Sequence, residues 1–387
     1  MARFQAEQQL ILLSAGTAAR RRATAERARR LAADVDWSRL AETLRQRRLL
    51  AMLGPRIVEL AKDSAEDDFV AAVDLAVEAG RRHGAFLQLV SLRAIAMLGD
   101  AGIRSVALKG PLMGEALYGD PGRRPSSDID LLVPPEQLQA AVEVIRTLSY
   151  EAPTDYVYDS GLPLLHFVLA HERRELPPVE LHWRVHWYER SFASERLLPA
   201  EVDALGDWRP APADELAALL LFYARDGFVD LRLATDLSAW WDVYGAALPV
   251  GALDELLNTY PALRRAIRVA TKVAERIVGL PSEQIIGELS RLGLREHVAV
   301  RLANPHPQSS PSQLYADIGL IDGLLSPPGG FRAFVRRNLL LPDEVLDQQA
   351  RHGARRRARS PLGRGVGVLG RYGLTITRLA RTPETLG

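Results

Sequence analysis

The chain is 387 residues long, 47% apolar and 25% charged, with a net charge of +1 and no cysteine. This is ordinary globular composition, and the length suits two to three folding units. Without cysteine, disulfides, thiolate zinc sites and cysteine nucleophiles are excluded; a reducing, cytoplasmic setting is expected, and the near-neutral charge names no partner.

Residues 1–99 read as an N-terminal helical region. "MARFQAEQQLILLSAG" has only a short apolar run and no good cleavage site, so a helix is expected there and not a signal peptide. Apolar positions then recur at three- and four-residue spacing through "RRATAERARRLAADVDWSRLAETLRQRRLLAMLGPRIVEL" and "EDDFVAAVDLAVEAGRRHGAFLQLVSLRAIAMLGDAG", with Gly102 as the C-terminal cap. No stretch of the chain approaches the ~18 uninterrupted apolar residues of a membrane span.

The pattern changes over residues 100–205. "SVALKG" is a short strand ending in a turn, and "PLMGEALYG" a helix with Pro111 in its first turn, where a missing N–H does no harm. "DPGRRPSS" is a turn-rich loop, "DIDLLV" a strand closed by Pro134 and Pro135, and "PEQLQAAVEVIRTLSY" an amphipathic helix. Two strands follow, "LPLLHFVLAH" and "VELHWRVHW", joined by "ERRELPP". This order predicts a mixed sheet with helices packed on it.

Residues 206–305 return to helix in "PADELAALLLFYARDGF", "LRLATDLSAWWDVYG" and "PALRRAIRVATKVAERIVG". Residues 306–387 read as short helices and a basic tail, whose positions 351–387 hold nine arginines against one acid, Glu384. Apolar residues interleaved with arginine in "RYGLTITRLART" favour a docked terminal helix. Nucleic acid is the less favoured partner, since Tyr372 is the tail's one aromatic for base stacking.

The chemistry gathers in the middle region. In a strand, alternate side chains share a face, so Asp128 and Asp130 project together while Ile129 and Leu131 face a core. Two such carboxylates repel unless a cation lies between them, and oxygen-only ligands suit magnesium or manganese. A solvated edge strand is the competing reading. In "VELHWRVHW" the same logic puts Glu180, His182, Arg184 and His186 on one face, where Glu180 is a third carboxylate for metal or for general-base work. The histidines are candidates for metal or phosphate, against a plain hydrogen-bonding role. Upstream, the Lys109–Gly110 turn opens a helix, a place where phosphate finds free N–H groups and an ammonium; Lys109 is one of only three lysines.

The stretch "ALKGPLMGEALYGDPGRRPSSDIDLLV" resembles the nucleotidyltransferase superfamily that includes DNA polymerase beta and the aminoglycoside nucleotidyltransferases. Ser127, Asp128 and Asp130 match its Ser-Asp-X-Asp metal strand. More closely, the Lys-Gly turn, the "LY" helix, the "RPSSDIDLLV" strand and the "ELHW" strand are similar to a group of bacterial nucleotidyltransferase-family proteins. That likeness extends to "DWSRL", to "RLATDLSAWW" with Asp236, and to the arginine-rich end.

The resemblance implies an α+β fold: a nucleotidyltransferase-like mixed β-sheet core with helices on one face, flanked by N- and C-terminal helical regions. It implies that Asp128 and Asp130 bind catalytic Mg2+ (or Mn2+) and that Glu180 is the third carboxylate, a metal ligand that activates the acceptor hydroxyl. Lys109 and Gly110 then hold the triphosphate of an NTP, with ATP the expected donor. The superfamily turn is Gly-Ser, and here Pro111 supplies neither hydroxyl nor N–H. Arg123, Arg124, Ser126 and Ser127 are candidates for the missing contacts, and His182 for a further nucleotide contact. The acceptor implied is a peptide, sugar or small molecule. A non-catalytic nucleotide- or peptide-binding module, and a toxin-like enzyme acting on transfer RNA or a protein, remain as alternatives.

Overall fold

A computed structural model describes residues 2–151, 165–198, 201–202, 208–287, 291–303 and 311–330, with a few scattered positions between 332 and 373. The basic tail lies outside these residues apart from those positions, as do residues 162–164 of the expected "LPLLHFVLAH" strand.

The N-terminal region is helical as its periodicity predicts: α1 (Ala2–Ala15), α2 (Ala18–Ala23), α3 (Ala25–Ala32), α4 (Trp37–Gln46), α5 (Leu50–Ala61) and the long α6 (Asp67–Asp100). α6 stops where expected. Gly102 takes φ +72, and the Ile103 amide closes back on the Leu98 carbonyl at 2.8 Å. The alternating segment contains β1 (Val106–Ala107), α7 (Pro111–Tyr118), β2 (Ile129–Leu132), α8 (Leu138–Arg146), β3 (Tyr150–Glu151), β4 (His166–His171) and β5 (Val179–His182). A two-residue pair, β6 (Glu201–Val202) with β7 (Trp208–Arg209), precedes α9 (Pro212–Arg225), α10 (Leu231–Tyr244), α11 (Asp254–Thr259), α12 (Arg264–Val278), α13 (Ser282–Ile285), α14 (Leu294–Leu302) and α15 (Pro311–Leu325).

The five strands form one mixed sheet in the order β1-β2-β5-β4-β3. β2 and β5 run parallel, and the other neighbours are antiparallel. One face is sealed. Ile129, Leu131, Phe167, Leu169, Val179 and Leu181 join Leu87, Val90, Ala94 and Leu98 of α6 and Leu138, Ala141, Val142 and Ile145 of α8 in one buried cluster. A second, larger cluster joins α1, α3, α4 and α5 to α9, α10 and α12, and takes in Val106, Leu132 and α7. The fold is thus α+β, with a helical layer on one sheet face and helical regions flanking the sheet.

Two glycines explain how α6 meets the loop ahead of β2. A Cβ at Gly80 would lie 2.2 Å from the Gly122 carbonyl oxygen, and one at Gly84 2.7 Å from that of Pro121. Each glycine costs a helix interior about 1 kcal/mol relative to alanine. One turn apart, they leave a notch into which the Pro121–Gly122 backbone sits. Asp120 locks the seat, accepting from Arg81 Nε at 2.8 Å and from the Gly122 amide at 2.9 Å.

The substitution Gly80→Ala is therefore expected to destabilise the protein by about 1–3 kcal/mol, the usual cost of overpacking. Gly99→Ala on the same helix, where an added Cβ meets nothing within 4 Å, is expected to be neutral or stabilising by up to about 1 kcal/mol. Urea unfolding of both variants checks the contrast; equal effects would remove the notch from the account.

Candidate active site

The sheet face opposite the sealed one carries the polar groups. Across the parallel pair, Asp130 stands opposite Glu180 and Leu132 opposite His182. Across β4 and β5, His166 stands opposite His182. Because side chains alternate along each strand, Asp130, Glu180, His182 and His166 emerge together. Asp128 immediately precedes β2. The turn at Gly110 (φ +100) comes alongside: a Cβ there would lie 3.8 Å from Ser126 Oγ and 3.9 Å from the Asp128 carbonyl oxygen. That backbone conformation favours glycine, and Pro111 follows as the first residue of α7.

These groups form a connected set. Asp130 Oδ1 receives His182 Nε2 at 2.9 Å and pairs with Lys109 Nζ at 3.1 Å. His182 Nε2 also lies 3.3 Å from Glu180 Oε2, and His166 Nε2 lies 3.6 Å from that same oxygen. Asp130 and His182 are fully buried, whereas Glu180 and His166 open toward solvent. Ser126 Oγ reaches Asp128 Oδ1 at 3.4 Å. Beyond the set, the Phe222 ring of α9 forms a wall, 6.1 Å from the His182 ring. Lys109 and Arg225 both lie over it, at 5.2 and 4.7 Å from its centroid.

The electrostatics differ from one carboxylate to the next. Burial alone would raise the Asp130 carboxyl, but Lys109 and the His182 hydrogen bond outweigh it and hold the group well below the ordinary range. Burial pushes Asp128 up, reinforced by the neighbouring charge of Asp130. Glu180 is lowered, the His182 hydrogen bond overcoming its own burial. Burial, with help from His182, pushes the His166 imidazole down to about 4, so it is neutral at pH 7. Asp130 Oδ2 is buried with no hydrogen-bond partner among the described residues. A buried carboxylate oxygen without a donor beside a crowded second carboxylate is what a divalent cation would satisfy. By donor type, the oxygens of Asp128, Asp130 and Glu180 suit magnesium or manganese, which take oxygen ligands.

Arg124, expected among the phosphate contacts, is buried against Asp236 of α10, with Nη2 and Nε 2.9 and 3.0 Å from Oδ2. Tyr118, at the end of α7, donates to Asp236 Oδ1 at 3.0 Å. Burial, aided by Asp236, raises the Tyr118 phenol and keeps it a neutral donor. Asp236 thus ties together the helix that starts at Gly110 and the loop that leads to Asp128. Ser127 is exposed.

The expected strand "VELHWRVHW" is shorter than its alternation suggests. It ends at His182, because Glu189 captures the Val185 amide and, at 2.7 Å, the Ala193 amide, curling the chain away. Arg184 and His186 therefore leave the strand face. His186 is buried, and its Nδ1 accepts from the Tyr188 amide at 3.2 Å. Sequence reasoning passed over His166, although "HFVLAH" alternates as clearly as "ELHW". It also passed over Phe222 and Arg225, whose approach depends on how α9 packs.

Removing Asp236 while leaving Arg124 buried should be costly. Asp236→Ala is expected to destabilise by about 3–5 kcal/mol, the cost of orphaning a buried charge, and Tyr118→Phe by about 0.5–1.5 kcal/mol. Adding Arg124→Met to Asp236→Ala should recover part of the loss. Chemical denaturation of the three variants reads this; an Asp236→Ala protein as stable as its parent would refute the brace.

No curated protein and no solved structure matches the chain. Residues 33–279, well over half of it, match a family described as uncharacterised nucleotidyltransferases. The match spans α4 to α12 and includes every residue of the polar sheet face. The chain belongs to this nucleotidyltransferase family.

Proposed function

We propose that the protein is a magnesium-dependent nucleotidyltransferase that moves a nucleoside monophosphate from an NTP, with ATP as donor, to a hydroxyl or phosphate of a peptide, sugar or small molecule. The observation that carries this reading is the in-register pair Asp130–Glu180 on parallel strands, with Asp128 at the strand entry and the Lys109–Gly110 turn alongside. Family membership supports the reaction class; the cation, the donor and the acceptor are our reading of the site.

Asp128, Asp130 and Glu180 would hold the cation, which supplies charge neutralisation for the triphosphate. The first-turn N–H groups of α7 have no intrahelical partners and favour anions. Ser126, whose hydroxyl lies beside Gly110, can offer the donor that Pro111 lacks. Lys109, now on Asp130, is placed to exchange that partner for a phosphate oxygen. In the reaction the acceptor oxygen attacks the α-phosphorus. The bond to the bridging oxygen of the β-phosphate breaks and pyrophosphate leaves. Glu180, held ionised and partly open to solvent, accepts the acceptor proton. With the leaving group already anionic, positioning and charge compensation carry most of the rate.

Two expectations follow for magnesium–NTP binding followed by calorimetry. Asp128→Asn and Asp130→Asn should each abolish it with the fold retained; Asp128→Asn relieves repulsion in the metal-free protein, whereas Asp130→Asn gives up the charged contacts to Lys109 and His182 and should cost some stability. Lys109→Ala should weaken it about tenfold or more, the worth of one charge-assisted contact, while Lys62→Ala should have little effect. Unchanged affinity in both aspartate variants would reduce the pair to a solvated strand face.

A further inference from the structure

The polar face holds more nitrogen than a magnesium site needs. His166 Nε2, Glu180 Oε2 and His182 Nε2 converge, with ligand atoms of the three residues all within 4.8 Å of one another. Asp130 Oδ1 is 2.9 Å from the same His182 nitrogen. Successive donor separations along this set are 2.9, 3.3 and 3.6 Å. In a tetrahedral zinc shell with bonds of about 2.0–2.1 Å, donors lie about 3.3 Å apart. The Glu180–His182 and Glu180–His166 separations are near the edges of such a shell, while Asp130 lies outside the three-residue group and touches it through His182.

We propose that His166, Glu180 and His182 form a three-ligand site, with solvent at the fourth position, for a borderline divalent transition ion of the zinc class, distinct in ligand type from the oxygen site of Asp128 and Asp130. Imidazole nitrogen selects zinc, iron, cobalt or nickel over magnesium. The rings of His166 and His182 lie 4.6 Å apart at 32°, side by side with both Nε2 atoms toward Glu180. Asp130 and His182 are buried while His166 is about one-third exposed, which leaves a route for the ion from solvent. Neither Nδ1 has a hydrogen-bond partner among the described residues. Among the described residues no carbonyl or carboxylate backs either ring, a loss of about 10–100-fold in affinity per ring in known sites. The ion is accordingly exchangeable and not structural. Lys109, 3.1 Å from Asp130 Oδ1 beside the site, carries the same sign of charge as the ion and opposes binding.

This site shares Glu180 with the nucleotidyl-transfer reading, but it does not require nucleotide, and the test separates the two. Cobalt(II) is titrated into the full chain without nucleotide and followed by visible absorption. The expected result is the intense band set of four-coordinate, nitrogen-ligated cobalt, displaced by zinc and not by excess magnesium. His166→Ala and the bulk-preserving His166→Asn should each remove that band set and weaken zinc binding about tenfold or more. Both variants should keep the parent's circular dichroism and urea midpoint. Lys109→Met should tighten cobalt binding about tenfold or more, since a like charge within a few ångströms is removed. Weak six-coordinate bands insensitive to both His166 variants, or no cobalt binding, would overturn the proposal while leaving the magnesium–NTP result free to stand. Cobalt bands with no NTP binding would uphold it and count against the transfer reading instead.

Discussion

The constraint on which the rest of the structure depends is the crowding of carboxylates on one face of a sheet whose other face is closed core. Ile129 and Leu131 bind β2 to α6 and α8. The period of two then obliges Asp130 to face the opposite way, where Asp128 and Glu180 also sit. Unbalanced, such a face would be driven to take up protons. Lys109 and His182 hold Asp130 ionised, while Asp128 is left raised by burial and by its neighbour. The metal-free site is charge-compensated on one carboxylate and strained on the next, an arrangement that rewards arrival of a cation.

Such a face works only if the loop before β2 and the turn before α7 keep their relative places. Neither segment is regular structure, so the surroundings have to supply the order. The notch at Gly80 and Gly84 seats the Pro121–Gly122 backbone. His83 Nε2 lies 3.1 Å from the Ser126 carbonyl oxygen. From the other side, one buried carboxylate, Asp236, holds both Arg124 and Tyr118. Helices more than 100 residues apart in the chain thereby fix a few ångströms of backbone at the site. This accounts for a site built in the middle of the sequence needing helical regions on both sides of it.

Much of this was legible in the sequence wherever local rules decide. The alternation of "DIDLLV", the cap at Gly102, the Pro111 start of α7 and the helical periodicities all follow from short-range geometry, and the α+β class follows from their order. What escaped notice depends on long-range packing. Arg124 reads as one more loop cation until Asp236 reaches it across the fold. Arg184 and His186 continue a perfect alternation, yet the Glu189 carboxylate bends the chain before they can join the strand. β3, of two residues, is too short to carry a pattern. His166 was within reach of the same period-two argument that picked out His182, and lacked only a reason to pair the two strands in that register.

The central claim is that this sheet face transfers a nucleotidyl group. The most direct measurement is parallel incubation of the protein and magnesium with each NTP labelled on the α-phosphate or on the γ-phosphate, with a cell extract supplying acceptors. The account predicts that α-label enters an acid-stable product, that γ-label is released as pyrophosphate, and that Asp130→Asn abolishes both. Transfer of γ-label in place of α-label, or α-label incorporation equal in the Asp130→Asn protein, would contradict it.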